Sequence, residues 1–295
     1  MPDPGIVDPH HHLWDLSHGY PWLQGEGKLQ FQGDATPIHR DYLLPDFLAD
    51  AAGLPLVKSV HVEASAGDPR QETAWLQRIA DAHGFPHGIV VHVPLDAADA
   101  AQALAWHAGH PNVRGVRHIL NWHPDRTYRF TERDDYLADP AWRAGFAQLE
   151  RYGLSFDLQI YPGQMAAAAR LANDFPGTPV ILNHTGMPIG RDQDSFAEWR
   201  AGMRQLASAP NVSVKISGLG MLDHHWTTES IRPFVHETIG IFGAGRCMFA
   251  SNFPVDRLYS TYRQLWDAFA GITAGLSPAE REQLFSATAL RVYRL

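Results

Sequence analysis

Eight short β-rich runs, separated by segments with helical patterning, narrow the possible folds of this chain more than any other feature. They cover residues 5–12, 57–63, 88–94, 113–120, 154–161, 179–184, 212–217 and 247–252, and each ends in turn-forming residues. Between the second and third, residues 68–83 read as a helix. Asp68 suits the N-cap, Pro69 the first helical position and Gln71 the third residue after the cap, while Trp75, Leu76 and Ile79 share a face. After the eighth run, Ser277, Pro278 and Glu280 repeat the start signal, and Leu284, Phe285 and Leu290 form the stripe of a closing helix. Eight alternating βα units predict a (β/α)8 barrel. A doubly wound open sheet gives the same local pattern with fewer strands. No shift in composition marks a second unit, so one domain over residues 1–295 is expected.

Several runs carry polar residues at alternate positions: His61 and Glu63, Asp157 and Gln159, and Ser213, Lys215 and Ser217. With a period of two, the polar side is expected to face the barrel interior and mouth. Lys215 and Asp157 equally suit an ion pair inside the barrel. The stretches 17–45 and 121–140 are long, aromatic and proline-bearing, as lids and binding loops are.

Composition excludes several classes of function. With 45% apolar and 19% charged residues the chain is globular, and its net charge of -8, without a cluster of Lys and Arg, leaves no footprint for nucleic acid. Cys247 is the only cysteine, which rules out an internal disulfide and a cysteine metal cage and makes the cytoplasm the expected address. Residues 1–7 lack the basic and apolar regions of a signal peptide, and no window approaches the roughly 20 apolar residues of a membrane span. Neither export nor membrane insertion is expected. A small molecule is the expected partner, and a homo-oligomer is compatible with the sequence.

Seventeen histidines stand out. In Asp8-Pro9-His10-His11-His12-Leu13-Trp14, His10 and His12 are two apart on an extended backbone. They point the same way and can share a metal or a substrate, while His11 points elsewhere. His184 closes the sixth run at the same end of the expected barrel. Three imidazoles and a water would make an open zinc site, to which Glu63 could add a carboxylate. Glu63 equally suits a pair with an arginine across the mouth. The run Val113-Arg114-Gly115-Val116-Arg117-His118 offers two arginines, one to hold a substrate oxygen and the other to pair with a structural carboxylate. Trp14, Tyr20, Trp22, Trp122 and Tyr128 would supply apolar walls.

Residues 8–14, the Arg-Gly-Val-Arg run at 114–117, the run 180–188 and the run 248–256 together resemble the amidohydrolase-related family. The narrower likeness is to its branch of pyrone-dicarboxylate, fucono-, rhamnono- and sulfomucono-lactonases. The resemblance spans nearly the whole chain and implies a TIM barrel of the metal-dependent-hydrolase type that hydrolyses lactones. Carried over by position, His10, His12 and His184 bind metal or substrate, and Arg117, or else Arg114, holds substrate oxygens. From their places on the fourth run and beside the mouth, His118 and Trp14 are further candidates for substrate contact. The family usually ends strand eight with Ser-Asp-Trp-Pro, whose Asp is a metal ligand or the acid/base, whereas this chain reads Ser251-Asn252-Phe253-Pro254. Asn252 cannot take a proton as a base, although it can orient a water or substrate. The activating group is therefore sought among Glu63, Asp256 and His118, with Glu63 first. A divalent metal, zinc foremost, is the implied cofactor, and catalysis without a metal is the alternative within the same branch.

The expected function is hydrolytic opening of a small lactone from sugar-acid or aromatic-acid catabolism. Water held by the three histidines, directly or through zinc, attacks the carbonyl, and Glu63 or Asp256 carries the proton to the leaving ring oxygen. Two other readings keep the barrel: a metal-dependent nonoxidative decarboxylase of aromatic acids, and a barrel that binds a small acid without turning it over.

Overall fold

The computed structural model describes residues 5–25, 31 and 33–295. All eight runs form strands: β1 (Ile6–His11), β2 (Leu56–Val62), β3 (Gly88–His92), β4 (Val113–Ile119), β5 (Ser155–Gln159), β6 (Val180–Leu182), β7 (Val212–Ile216) and β8 (Cys247–Phe249). Each pairs in parallel with the next, in sequence order, with helices between. The alternative of an open doubly wound sheet is thereby set aside. β1, β5, β6, β7 and β8 are buried along their whole length, as parallel strands covered on both faces must be. The helix Pro69–His83 starts as expected. The Asp68 carboxylate accepts from the Arg70 and Gln71 amides, and Gly84, at φ 74°, ends it.

The seam between β8 and β1 closes without a continuous ladder. The buried Asp8 carboxylate accepts from the Ser251 amide (3.0 Å), the Ser251 hydroxyl (2.5 Å) and the Tyr262 hydroxyl (3.0 Å). Beyond it, the Asn252 amide donates to the His10 carbonyl and the His12 amide to the Phe253 carbonyl, both at 2.7 Å. These bonds tie the first histidines of the chain to the strand-eight loop. At the other end of the barrel, Tyr293 of the closing helix Thr288–Tyr293 packs with Val7, Val60, Val62, Val90, Ile181 and Met248. Each such buried apolar side chain contributes about 1.5–3 kcal/mol of transfer free energy.

This plug corrects one expectation about β2. Val60 and Val62 belong to the interior cluster, so His61 faces the helices, where its Nε2 lies 3.2 Å from the Leu13 carbonyl. On β5 and β7 the expected polar face does point inward. Asp157 and Lys215 form an ion pair with no exposure, and the Tyr293 hydroxyl donates to Asp157. Going up the barrel, the interior thus passes from an apolar plug to this ion pair and then to the mouth. Among the described residues no helix is long and apolar enough to cross a membrane.

Candidate active site

β1 breaks register with β2 between Asp8 and His11, and the irregularity distributes the three histidines. His11 stacks on Phe47 at 4.0 Å and meets Ser59, outside the barrel. The His10 ring lies 5.1 Å from that of His12 and 4.5 Å from that of His184, centroid to centroid. The polar contacts of each ring limit its role. His12 Nδ1 is 2.7 Å from the Val62 carbonyl, an acceptor only, so Nδ1 carries the proton and Nε2 keeps a lone pair. His184 Nδ1 meets the Ser217 hydroxyl at 3.1 Å. His10 Nδ1 faces Lys215 Nζ at 3.3 Å, and its Nε2 is buried without a partner. Burial is the main cause holding all three imidazoles below their ordinary pKa, His12 at about 4, so the cluster is uncharged at neutral pH. Burial likewise pulls Lys215 down to about 8, against the opposing pull of Asp157.

Above the cluster lies a cavity of about 220 Å³, whose lining includes His12, Arg117, Gln159, His184, Asn252 and Ser65. Ser65, His184 and Asn252 have φ of 55°, 52° and 57°, a left-handed conformation costly for residues with a Cβ, and all three line this one cavity. His184 depends on a glycine for its place. A Cβ at Gly218, itself at φ +64°, would lie 2.6 Å from His184 Nδ1. A larger cleft of about 660 Å³, walled by Trp122, Tyr128 and Tyr161, contains none of the clustered imidazoles.

Arg117 supplies the cavity's positive charge. Its Nε donates to Glu63 Oε1 (2.6 Å), one terminal nitrogen to the Glu63 carbonyl (2.6 Å) and the other to Gln159 (3.0 Å). Of five guanidinium protons, two are left for a ligand. Asn252 donates from Nδ2 to Asp256 Oδ1 at 3.1 Å, and its side chain also favours the protonated form of His12. Asp256 is buried, and desolvation raises its carboxyl to about 7.

Several sequence-based assignments are corrected here. Glu63 is neither a free base nor a metal ligand. One carboxylate oxygen is bound by Arg117 and the other by the Ser65 amide at 2.8 Å, and Arg117 beside it overcomes desolvation to hold the carboxyl at about 2. Arg114 sits at the amino end of β4, bound to the Pro111 carbonyl and far from the mouth. His118 faces outward, where Trp142 Nε1 donates to its Nδ1 at 3.1 Å. Trp14 is fully buried behind the wall and bonds the Arg40 carbonyl; Trp22 lines the cavity in its place. Asp256 lies behind Asn252 and is not on the cavity surface. The structure also brings in Gln159, Met221, Phe130 and Phe31. Gln159 had a signal in its place on the alternating face of β5, Phe31 and Phe130 only in lying on the two long aromatic loops, and Met221 had none.

Among the described residues, no group of three or more His, Cys, Asp or Glu side chains is disposed to hold a metal ion. Glu63 is committed to Arg117, and His10 is met by an ammonium instead of a carbonyl or carboxylate. The donor set does not fit the three-imidazole zinc centre expected from the sequence.

A family model described as amidohydrolase matches residues 7–295. An uncharacterised protein of Sinorhizobium fredii is 48% identical over 298 residues, covering 100% of both chains. An L-fucono-1,5-lactonase of Burkholderia multivorans is 30% identical, covering 98% of this chain and 96% of its own. The crystal structure of an amidohydrolase from Burkholderia multivorans with bound zinc is 26% identical, with a TM-score of 0.83 over 99% of each chain.

Proposed function

The chain belongs to the amidohydrolase family, and from that premise we propose that it hydrolyses a small lactone. Kinship with a fuconolactonase supports the reaction class and favours a sugar-acid lactone as substrate. The observation that carries the reading is the juxtaposition, in one small cavity, of neutral imidazoles with a free nitrogen and an arginine with two unused N–H groups. About 220 Å³ is below the roughly 300–1,000 Å³ of drug-sized pockets and suits a single ring.

In this reading water lodges against His12 and His184. As its oxygen bonds to the lactone carbonyl carbon, His12 Nε2 takes one proton, and the carbonyl oxygen becomes an oxyanion facing the two free N–H groups of Arg117. Asn252, held by Asp256, lies where it favours the imidazolium so formed. Collapse of the intermediate breaks the bond to the ring oxygen, which takes the proton back from His12, and a hydroxy acid leaves. Asp256 thereby passes from the proposed proton carrier to the residue that positions Asn252. No step runs through a metal, because the donor set does not fit one.

The test is proton release, followed with a pH indicator, on a panel of sugar-acid lactones, muconolactones and pyrone carboxylates. Turnover should fall about a hundredfold or more in His12→Ala and in His184→Ala. Variants with wild-type turnover of the same lactone would show that the chemistry lies elsewhere.

A further inference from the structure

Lys215 has three N–H protons, and the barrel interior gives each a partner. One goes to Asp157, one faces His10 Nδ1 at 3.3 Å, and the Tyr293 ring lies 5.1 Å away for the third. An ammonium has no lone pair to offer. His10 Nδ1 must therefore be the acceptor, and in a neutral imidazole the single proton then sits on Nε2. That Nε2 is the buried atom left without a partner, in the ring between His12 and His184.

We propose that Lys215 is a positioning residue that locks His10 as a hydrogen-bond donor, and so makes the imidazole cluster a water site instead of a metal site. A metal needs lone pairs from every ligand, and histidine ligands are normally held by a carbonyl or carboxylate that accepts their other N–H. His12 has that arrangement, with the Val62 carbonyl. His10 has the inverse one. A water between the rings can accept from His10 Nε2–H while donating to His12 Nε2, which turns its oxygen lone pair and its departing proton in fixed directions. Lys215 has no exposure, does not line the cavity and touches no substrate, so it acts only through His10. Asp157 and Tyr293 hold its other side, which links the C-terminal helix to the site.

The inference deepens the hydrolytic reading above, but its test needs no substrate and can fail independently of it. Nitrogen-15 NMR of histidine-labelled wild-type protein, with His10 assigned by difference from His10→Gln, should show the Nε2–H tautomer for His10. This measurement needs no variant at Lys215. In Lys215→Met, checked for folding by circular dichroism, the His10 tautomer should shift toward Nδ1–H. Zinc binding by titration calorimetry should then tighten by about tenfold or more over wild type. If a lactone is turned over, kcat should fall about a hundredfold with KM little changed. A wild-type His10 protonated on Nδ1 would overturn the proposal, and so would a folded Lys215→Met with unchanged tautomer and zinc affinity.

Discussion

Removing the guanidinium in Arg117→Met should damage stability and catalysis by separable routes. Arg117 holds the buried Glu63 at about 2 against an ordinary value of 4.5. At about 1.4 kcal/mol per pKa unit this difference corresponds to about 3 kcal/mol, within the roughly 3–5 kcal/mol typical of breaking a buried pair from one side. For 295 residues, with an unfolding entropy of about 2 cal/mol/K per residue, that is a fall in Tm of about 5 °C. The sign with pH is fixed. In the wild type the depressed Glu63 contributes stability above its ordinary value, and this is lost as pH falls toward about 2. In Arg117→Met the largest force opposing desolvation is gone, with only His92 and the Ser65 amide left to hold the carboxyl down, so its pKa rises and the variant should be weaker at pH 8 than at pH 5 relative to wild type. The double variant Glu63→Gln with Arg117→Met removes the stranded charge and should regain most of the lost Tm. Its kcat should stay about a hundredfold or more below wild type, because the oxyanion donors are still missing. Scanning calorimetry and lactone turnover measure the two effects. Restored activity in the double variant, or an unchanged Tm in the single one, would refute the reasoning.

Gly218→Ala should cut turnover about tenfold or more, because its Cβ would displace the His184 ring, and should also lower Tm, because alanine is strained at φ +64°; a folded variant with wild-type kcat would show that the ring position is not critical. Stability should drop as pH falls from about 6.5 toward 4, since the unfolded chain protonates histidines that the native protein keeps neutral at His10, His11, His12, His61 and His184. A Tm flat across that range would contradict the buried neutral cluster. Asn252→Asp places a second carboxyl beside the buried Asp256 and should raise the pH needed to ionise the pair, measured by carbon-13 NMR of the carboxyl groups; a pair that ionises in the ordinary carboxylate range would contradict this.

The fold was legible because each strand is a compact β-rich run bounded by turn residues, so counting the runs was enough. Side-chain placement was legible only where a local period decided it. The two-residue spacing of His10 and His12 put them together, whereas the run 113–118 left open which of Arg114 and Arg117 faces the site. Position along β4 would have favoured Arg117, since it lies nearer the carboxyl end where barrel sites form. Other roles were set by partners distant in sequence. Glu63 reads as a base until Arg117 is seen against it, and Asp8 reads as part of a histidine motif until Ser251 is found on its carboxylate. His61 was misplaced because alternation cannot say which parity faces inward; the interior plug of Val60 and Val62 decides that.

The most direct measurement is lactone turnover in water enriched in heavy oxygen, with mass spectrometry of the product. The expected result is one labelled oxygen in the new carboxylate and none in the new hydroxyl, as attack of water on the carbonyl carbon requires. Label in the hydroxyl, release of carbon dioxide from an aromatic acid, or no turnover of any lactone would contradict hydrolysis at this site.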